Sequence, residues 1–448
     1  MVKARTLPLS LSGPALAWQP MYMKFLAFVL VGLALGGRGF AYFGIPPLFI
    51  SELTLLAGLV CIAFTTRAIS VFKHPTSVLL IIMIGWCFSR TVPYLATYRL
   101  DAVRDAMLYM YSLMAFVVAG LLCARPQYLR LIVLNYRKFA VLFILSMPVL
   151  AIVQGWPNVI PVWPWSGTPI IQTKAGDTLS HLAGVASFVL VGLMPMNQIL
   201  IAVVGSVIAV LSGNRAGQLA LMIGMIASVL TGGVSAMRTA VVGVILVGMF
   251  LVGVSGVVIP IPGSDREIDF GRPITRLASI FEDEDNDSRG ANTKSWRLEW
   301  WRAIYGYTVE GPYYWTGKGF GINLADDDGF LVSGDFAIRA PHNSHLSFLA
   351  RAGVPGFVIY AIVQLSWLVG MIATIIRAKL SGYRTWAAVS SFIVAYWAAF
   401  MTNANFDIVL EGPMAGMWFW SIFGVGLAVM ILQSRNPEVL ADAAPARA

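Results

Sequence analysis

About 12 stretches of roughly 20 mainly apolar residues, each the length needed to cross a bilayer, leave this chain few ways to fold. They run approximately over 21–38, 47–66, 77–95, 104–124, 138–155, 178–195, 197–212, 216–232, 238–259, 354–376, 386–402 and 413–433. In hydrocarbon every backbone N–H and C=O must find a partner inside the protein, which a helix provides locally. The expected fold is therefore an all-α polytopic membrane protein of about 12 transmembrane helices, with one large periplasmic loop containing short helices. Composition agrees: 58% of residues are hydrophobic, 12% are charged and mean hydropathy is +0.75, too apolar for a soluble globule. The small residues around Ala34-Leu35-Gly36 resemble a signal-cleavage site. The polar lead-in of about 20 residues is long for a signal peptide, so the first span is read as a membrane helix.

Charge placement sets the orientation. With the N-terminus in the cytoplasm, alternate short loops collect most of the Lys and Arg, from Lys3 and Arg5 to Arg377, Lys379, Arg384 and Arg435. The opposite short loops hold Arg38, Arg99, Arg104, Lys174 and Arg215. The bias puts both termini inside. It divides the chain into spans one to nine (1–259), a large outer loop (260–341), an interfacial helix with spans ten to twelve (342–433) and a cytoplasmic tail (434–448). The net charge of +9 then serves contact with anionic membrane lipids. No basic, aromatic-interleaved segment suits RNA or DNA, so no nucleic-acid partner is expected. Cys61, Cys87 and Cys123 all fall within spans, which leaves neither a disulfide framework nor a cysteine zinc site in the outer loop.

The outer loop is too long to be an idle connection. Within it, 292–309 reads as an amphipathic helix: Trp296, Trp300, Ala303, Ile304 and Tyr307 recur at steps of three and four, and Gly311-Pro312 ends it. Its aromatic face is expected near the headgroup layer. A second outer loop, 156–177, is rich in Trp and Pro and could wall a cavity. The tail after Gln433 is Ala-rich, is expected to be disordered, and carries no identifiable chemistry.

The candidate chemistry gathers on the outer side. Pro341 suits a first helical turn and Gly353 suits a C-cap, so 341–352 reads as a short helix with His342 and Asn343 in its first turn. The helix dipole there disfavours a protonated imidazole, leaving His342 available as a base. The first-turn N–H groups could hold a phosphate oxygen. His345 lies one turn further on. The competing reading is a histidine that merely caps or packs at the interface. Arg215 is the only Asp, Glu, Lys or Arg between Thr178 and Met237, and a charge at the end of a membrane span is a functional candidate; snorkelling to headgroups is the alternative. Arg297, with Trp301 four residues on, could present its planar fork to a diphosphate, or pair with Glu299 or Glu282. His181, with Lys174 and Asp177 before it, sits at the mouth of the sixth span. It lines the same cavity or bonds a neighbouring helix.

Two motifs fail on inspection. Asp283, Asp285 and Asp287 have calcium-loop spacing, but Ser288 replaces the required glycine and Lys294 stands where the bidentate Glu belongs. No metal site and no cofactor are expected. Gly317-Lys318-Gly319-Phe320-Gly321 lacks the Walker spacing and reads as a turn.

His342-Asn343-x9-Gly353-x2-Gly356, Arg297-x3-Trp301, Gly317-x-Gly319 and Arg215 at an outer span end together resemble the O-antigen ligase/polymerase superfamily of bacterial envelope glycosyltransferases. The resemblance covers roughly 205–425 and the span topology. It implies metal-independent transfer of a glycan from an undecaprenyl-diphosphate carrier, on the periplasmic face of the inner membrane, to a glycolipid or glycan acceptor. It implies a catalytic histidine, matched by His342, and diphosphate-binding arginines, matched by Arg215 and Arg297. Cavity-lining candidates are His181, Asn343, His345, Lys174 and Trp301. The expected activity is that of an O-antigen ligase with lipid A–core as acceptor. The alternative is a polymerase acting on a carrier-linked repeat, which the segment Asn405-Phe406-Asp407-Ile408-Val409-Leu410-Glu411-Gly412-Pro413 also resembles. From another class, a lipid or solute transporter would show inverted repeats and mid-membrane charges, and neither is evident.

Overall fold

A computed structural model describes residues 18–65, 68–155, 160–195, 214–236, 238–240, 242–244, 258–260, 267–269, 290–331 and 338–440. The principal helices are α1 (Trp18–Gly36), α2 (Ile50–Ala63), α3 (Pro75–Thr91), α4 (Leu100–Met110), α5 (Leu113–Ala124), α6 (Gln127–Gly155), α7 (Ala175–Leu190), α8 (Arg215–Gly232), α9 (Gly290–Thr308), α10 (Ser344–Leu380), α11 (Arg384–Asn403) and α12 (Pro413–Arg435). The described strands form two short antiparallel pairs, 44–45 with 48–49 and 258–260 with 267–269. Six helical segments among the described residues are long and apolar enough to cross a membrane, and the pair α4 and α5, bent by 45°, makes a seventh. Helices α2 and α8 are shorter apolar helices. The expected seventh span (197–212), most of the ninth and the acidic run from Glu282 to Asp287 lie outside the described residues.

The caps explain several boundaries. Pro75 and Pro413 occupy first-turn positions, where the missing N–H costs nothing. Asn214 caps α8 by accepting from the Gly217 N–H at 2.7 Å, and Gly233 ends it in the left-handed region. Helix α12 is the central column: its most apolar window is 94% buried, packed on α1, α5, α10 and α11. Gly424 lets it touch the Ala115 backbone, where a Cβ would come within 2.6 Å of the carbonyl oxygen. Lipid-facing helices carry the opposite signature, with Phe28, Leu145 and Leu365 about 60% exposed. Helices α7 and α8 run side by side in the same direction, since Gly217 adjoins Leu179, Gly224 adjoins Ala183 and Gly232 adjoins Val191.

Two expectations are corrected at the ends. The tail forms a 3-10 turn, Pro437–Leu440, which accepts the Trp386 indole N–H at 2.8 Å on Pro437 O, and Leu440 is fully buried. The aromatic face of α9 meets protein instead of headgroups. Trp300 and Ile304 are buried against Leu324, Ala325, Leu349 and Ala350, forming a second small core over the start of α10.

Candidate active site at one end of the bundle

The first turns of α7, α8, α10 and α12 and the last turn of α11 meet at one end of the bundle. Arg377, Lys379, Arg384 and Arg435 sit on the ends of α10, α11 and α12 that face the other way. The loop 404–412 between α11 and α12 crosses this end and is stitched to α10 by Ser344. The Ser344 N–H donates to Ala404 O (2.8 Å), its hydroxyl donates to Asp407 O (3.2 Å), and the same hydroxyl accepts from the Leu410 N–H (3.1 Å).

That stitching places Asp407 at the hub. Its carboxylate accepts from Lys174 Nζ at 3.1 and 3.2 Å, and His342 Nδ1 stands 3.6 Å from Oδ1. Arg297 Nη1 donates to the neighbouring Phe406 O at 3.3 Å, while its Nε is buried with no partner among the described residues. Burial would raise the Asp407 carboxyl, but the nearby His342 and Lys174 outweigh it and hold Asp407 well below the usual carboxylate range. Burial pushes the Arg297 guanidinium down, with Asp407 opposing. Two further carboxyls flank the hub. Burial pushes Asp177 up, Lys174 opposing and Asp407 adding to it; it accepts from Asn403 Nδ2 at 3.2 Å. Burial likewise pushes Glu411 up, with Ser347 and Arg351 opposing, and its Oε1 has no partner among the described residues.

His342 itself lies one residue outside the helix expected to carry it. Asn343 is the N-cap, its side chain accepting from the His345 and Leu346 N–H groups at 3.0 Å each, and α10 begins at Ser344. The expected helix over 341–352 is thus 344–352, closed at Gly353 (φ 70°) before the chain restarts through Val354-Pro355. Two expectations change with it. The first-turn N–H groups are occupied by Asn343 and Ala404 instead of being open to a phosphate, and a carboxylate at 3.6 Å, not only a helix dipole, faces the imidazole. His342 adopts φ 51°, a conformation that non-glycine residues hold only under restraint. The restraint is visible on both sides: Asn343 caps the helix, and Trp301 Nε1 donates to Pro341 O at 2.9 Å. Replacing Trp301 with Phe removes that one bond while keeping the ring. The expected result is a several-fold to ~10-fold fall in kcat, the rate equivalent of a hydrogen bond, with donor KM unchanged. A steady-state comparison of the two proteins checks it.

The kink in α10 depends on the glycine turn. Gly317, Gly319 and Gly321 all have positive φ, and the Lys318 and Gly319 N–H groups donate to Ala350 O (2.8 Å) and Arg351 O (3.0 Å). Trp86 Nε1 serves Ala352 O at 2.9 Å. The exposed carbonyls of the half-helix are thereby satisfied. Lys318 ties the turn down through Asp327 and Asp328.

The remaining candidates divide. Lys174 belongs to the hub and Trp301 braces it. Asn343 is a cap. His181 does not line the site: it is 1% exposed inside a box of Phe143, Tyr396, Phe400 and Trp418, with Nδ1 bonded to the Tyr396 hydroxyl at 2.5 Å. His345 is also structural, its ring nitrogens bonded to the Tyr360 hydroxyl (2.9 Å) and Met401 O (3.2 Å). Arg215 is the first residue of α8, and the contact of Gly217 with Leu179 puts that end of α8 beside the early turns of α7. Asp407 and Glu411 were assigned no role from sequence. They are the only acidic residues between Arg384 and Glu438, a signal that was present.

A family description, O-antigen ligase, matches residues 200–361, a stretch holding Arg215, Arg297 and His342 and ending before Asp407. No curated protein matches the chain. Through residues 200–361 the chain is similar to the O-antigen ligase family, and six helices among the described residues are long and apolar enough to cross a membrane.

Proposed function

We propose that the protein is an inverting glycosyltransferase of the inner membrane. Working on the periplasmic face, it moves a glycan from undecaprenyl diphosphate to an acceptor hydroxyl, as an O-antigen ligase does to lipid A–core. The observation that carries this reading is the hub: His342 and Lys174 on one carboxylate, with Arg297 on the adjacent carbonyl, at the end of the bundle opposite the basic helix ends.

His342 Nδ1 faces Asp407, which leaves Nε2 to take the proton from the acceptor hydroxyl as its oxygen attacks the anomeric carbon. The bond to the carrier diphosphate breaks in the same step, and direct attack inverts the centre. The departing diphosphate carries the electron pair. Arg297 and Arg215, the latter at the positive end of α8, neutralise that charge. Asp407 stabilises the imidazolium that forms. Because the Asp407 carboxyl is held low, its contacts with Lys174 and His342 are present above the ordinary carboxylate range. They are lost only as pH falls through its lowered value. A decline in transfer on mild acidification therefore reports another group. The chemistry asks nothing of a metal, and neither failed motif supplies one.

The polymerase reading differs only in acceptor, and the segment around Asp407 and Glu411 is its support. Deleting the gene and analysing surface glycans separates the two. Full-length glycan left on the carrier with bare lipid A–core marks a ligase; accumulation of single carrier-linked repeats marks a polymerase. Surface glycans unchanged by the deletion would contradict both.

A further inference from the structure

Trp296 stands beside the hub without being used by it. Its indole lies 6.3 Å from the His342 ring centroid, inclined by 57°. Two further rings pack on it and fix its orientation: Trp300 at 5.2 Å and 67°, and Phe330 at 6.3 Å and 75°. Those two are themselves locked, stacked at 5.5 Å and 8°, with Trp300 fully buried and its Nε1 donating to Asp328 Oδ2 at 2.6 Å. Trp296 differs from Trp300 in remaining partly exposed. It also differs in its N–H, which has no partner among the described residues. Trp300, Trp301, Trp367, Trp386, Trp397 and Trp418 all donate theirs. An oriented, partly open indole with a spare donor, one ring's width from a base, is how binding sites hold a flat-faced ligand.

We propose that Trp296 is the platform on which the acceptor's sugar ring stacks, presenting its hydroxyl to His342. This rests on the glycosyltransferase reading above. A pyranose has an apolar face of C–H bonds carrying slight positive charge, complementary to the negative face of an indole. A hydroxyl within about 2.6–3.2 Å of an imidazole nitrogen brings the ring that bears it against Trp296. The Trp296 N–H then donates to a neighbouring hydroxyl of that sugar. The donor is served elsewhere, its diphosphate by Arg297, whose Nη1 points to the Phe406 carbonyl.

The test uses full-length protein in detergent and, as probe, oligosaccharide released by mild acid from the host's own envelope glycolipid. Equilibrium binding is measured alongside saturation-transfer NMR. Wild-type protein is expected to bind the probe with saturation passing to the C–H protons of one ring face. Trp296→Ala should weaken binding about 10-fold, the scale of one good aromatic contact, and Trp296→Tyr by less than about 3-fold on the same scale. Trp296→Leu keeps apolar bulk against Trp300 and Phe330 but has no ring face, and should bind as weakly as the alanine variant. His342→Ala should still bind. Equal binding by wild type and a folded Trp296→Leu protein, or no binding by wild type, overturns the platform. A parallel transfer assay separates the two claims. Binding through Trp296 without transfer removes the enzyme reading and leaves the platform. Transfer with an unchanged acceptor KM in Trp296→Leu does the reverse.

Discussion

His342→Ala is expected to lower transfer by about 10²–10⁴-fold, the worth of a general base, while insertion into the membrane and the thermal midpoint stay near those of the wild type. The imidazole is 29% exposed and packs in no core, so its removal opens no cavity. It loses one partner, Asp407, which keeps Lys174. His345→Ala makes the contrast. That ring joins Tyr360 on α10 to the Met401 carbonyl on α11, so its loss removes two buried hydrogen bonds at about 0.5–1.5 kcal/mol each, leaving the Tyr360 hydroxyl the Met401 sulfur and the Met401 carbonyl the Asn405 amide. The expected variant is less stable but transfers at near wild-type rate per folded molecule. Measuring rate and thermal midpoint for both variants tests the pair of assignments. Near wild-type transfer by His342→Ala would return that residue to an interfacial packing role.

The largest effect on stability is expected from Arg351. It is 2% exposed, with Nη1 2.9 Å from Asp105 Oδ2, and it also donates to Gly319 O and Ile322 O. Asp105 in turn receives Arg339 and the Gly321 N–H. One guanidinium thus holds the kinked half-helix, the glycine turn and α4 together. Arg351→Leu leaves a buried carboxylate short of a partner and three segments untied, which costs about 3–5 kcal/mol. The thermal midpoint in detergent should fall clearly, and transfer with it, because the turn that caps Ala350 and Arg351 sets the direction of α10. Arg351→Lys should recover only part, since the shorter lysine holds its ammonium short of the point that Nη1 occupies among both carbonyls and the carboxylate. An unchanged midpoint in Arg351→Leu would show that the network carries no weight.

What the sequence made legible follows from which forces are local. Apolar length marks the spans because lipid imposes it residue by residue, and the cap at Gly353 was readable because only a glycine accepts φ 70° against the Tyr314 carbonyl. The start of the same helix was misplaced. Pro341 suits a first turn, but Asn343 satisfies two N–H groups at once and so fixes the boundary. The aromatic stripe of α9 has the same spacing whether it meets headgroups or protein. Only the packing against Leu349 and Ala350 decides between them. His181 and His345 look like His342 in sequence, and their partners, Tyr396 and Tyr360, come from distant positions. Asp407 became visible as the hub only when α7, α9 and α10 converged on the loop that carries it.

The most direct test of the central claim is stereochemical. Purified protein in liposomes would be given a polyprenyl-diphosphate glycan of defined anomeric configuration together with acceptor, and the new linkage assigned by NMR. The account predicts one glycosidic bond of inverted configuration, formed by the wild type and lost in His342→Ala. A product that retains the donor's configuration, or one that His342→Ala forms equally well, would contradict direct attack assisted by this histidine.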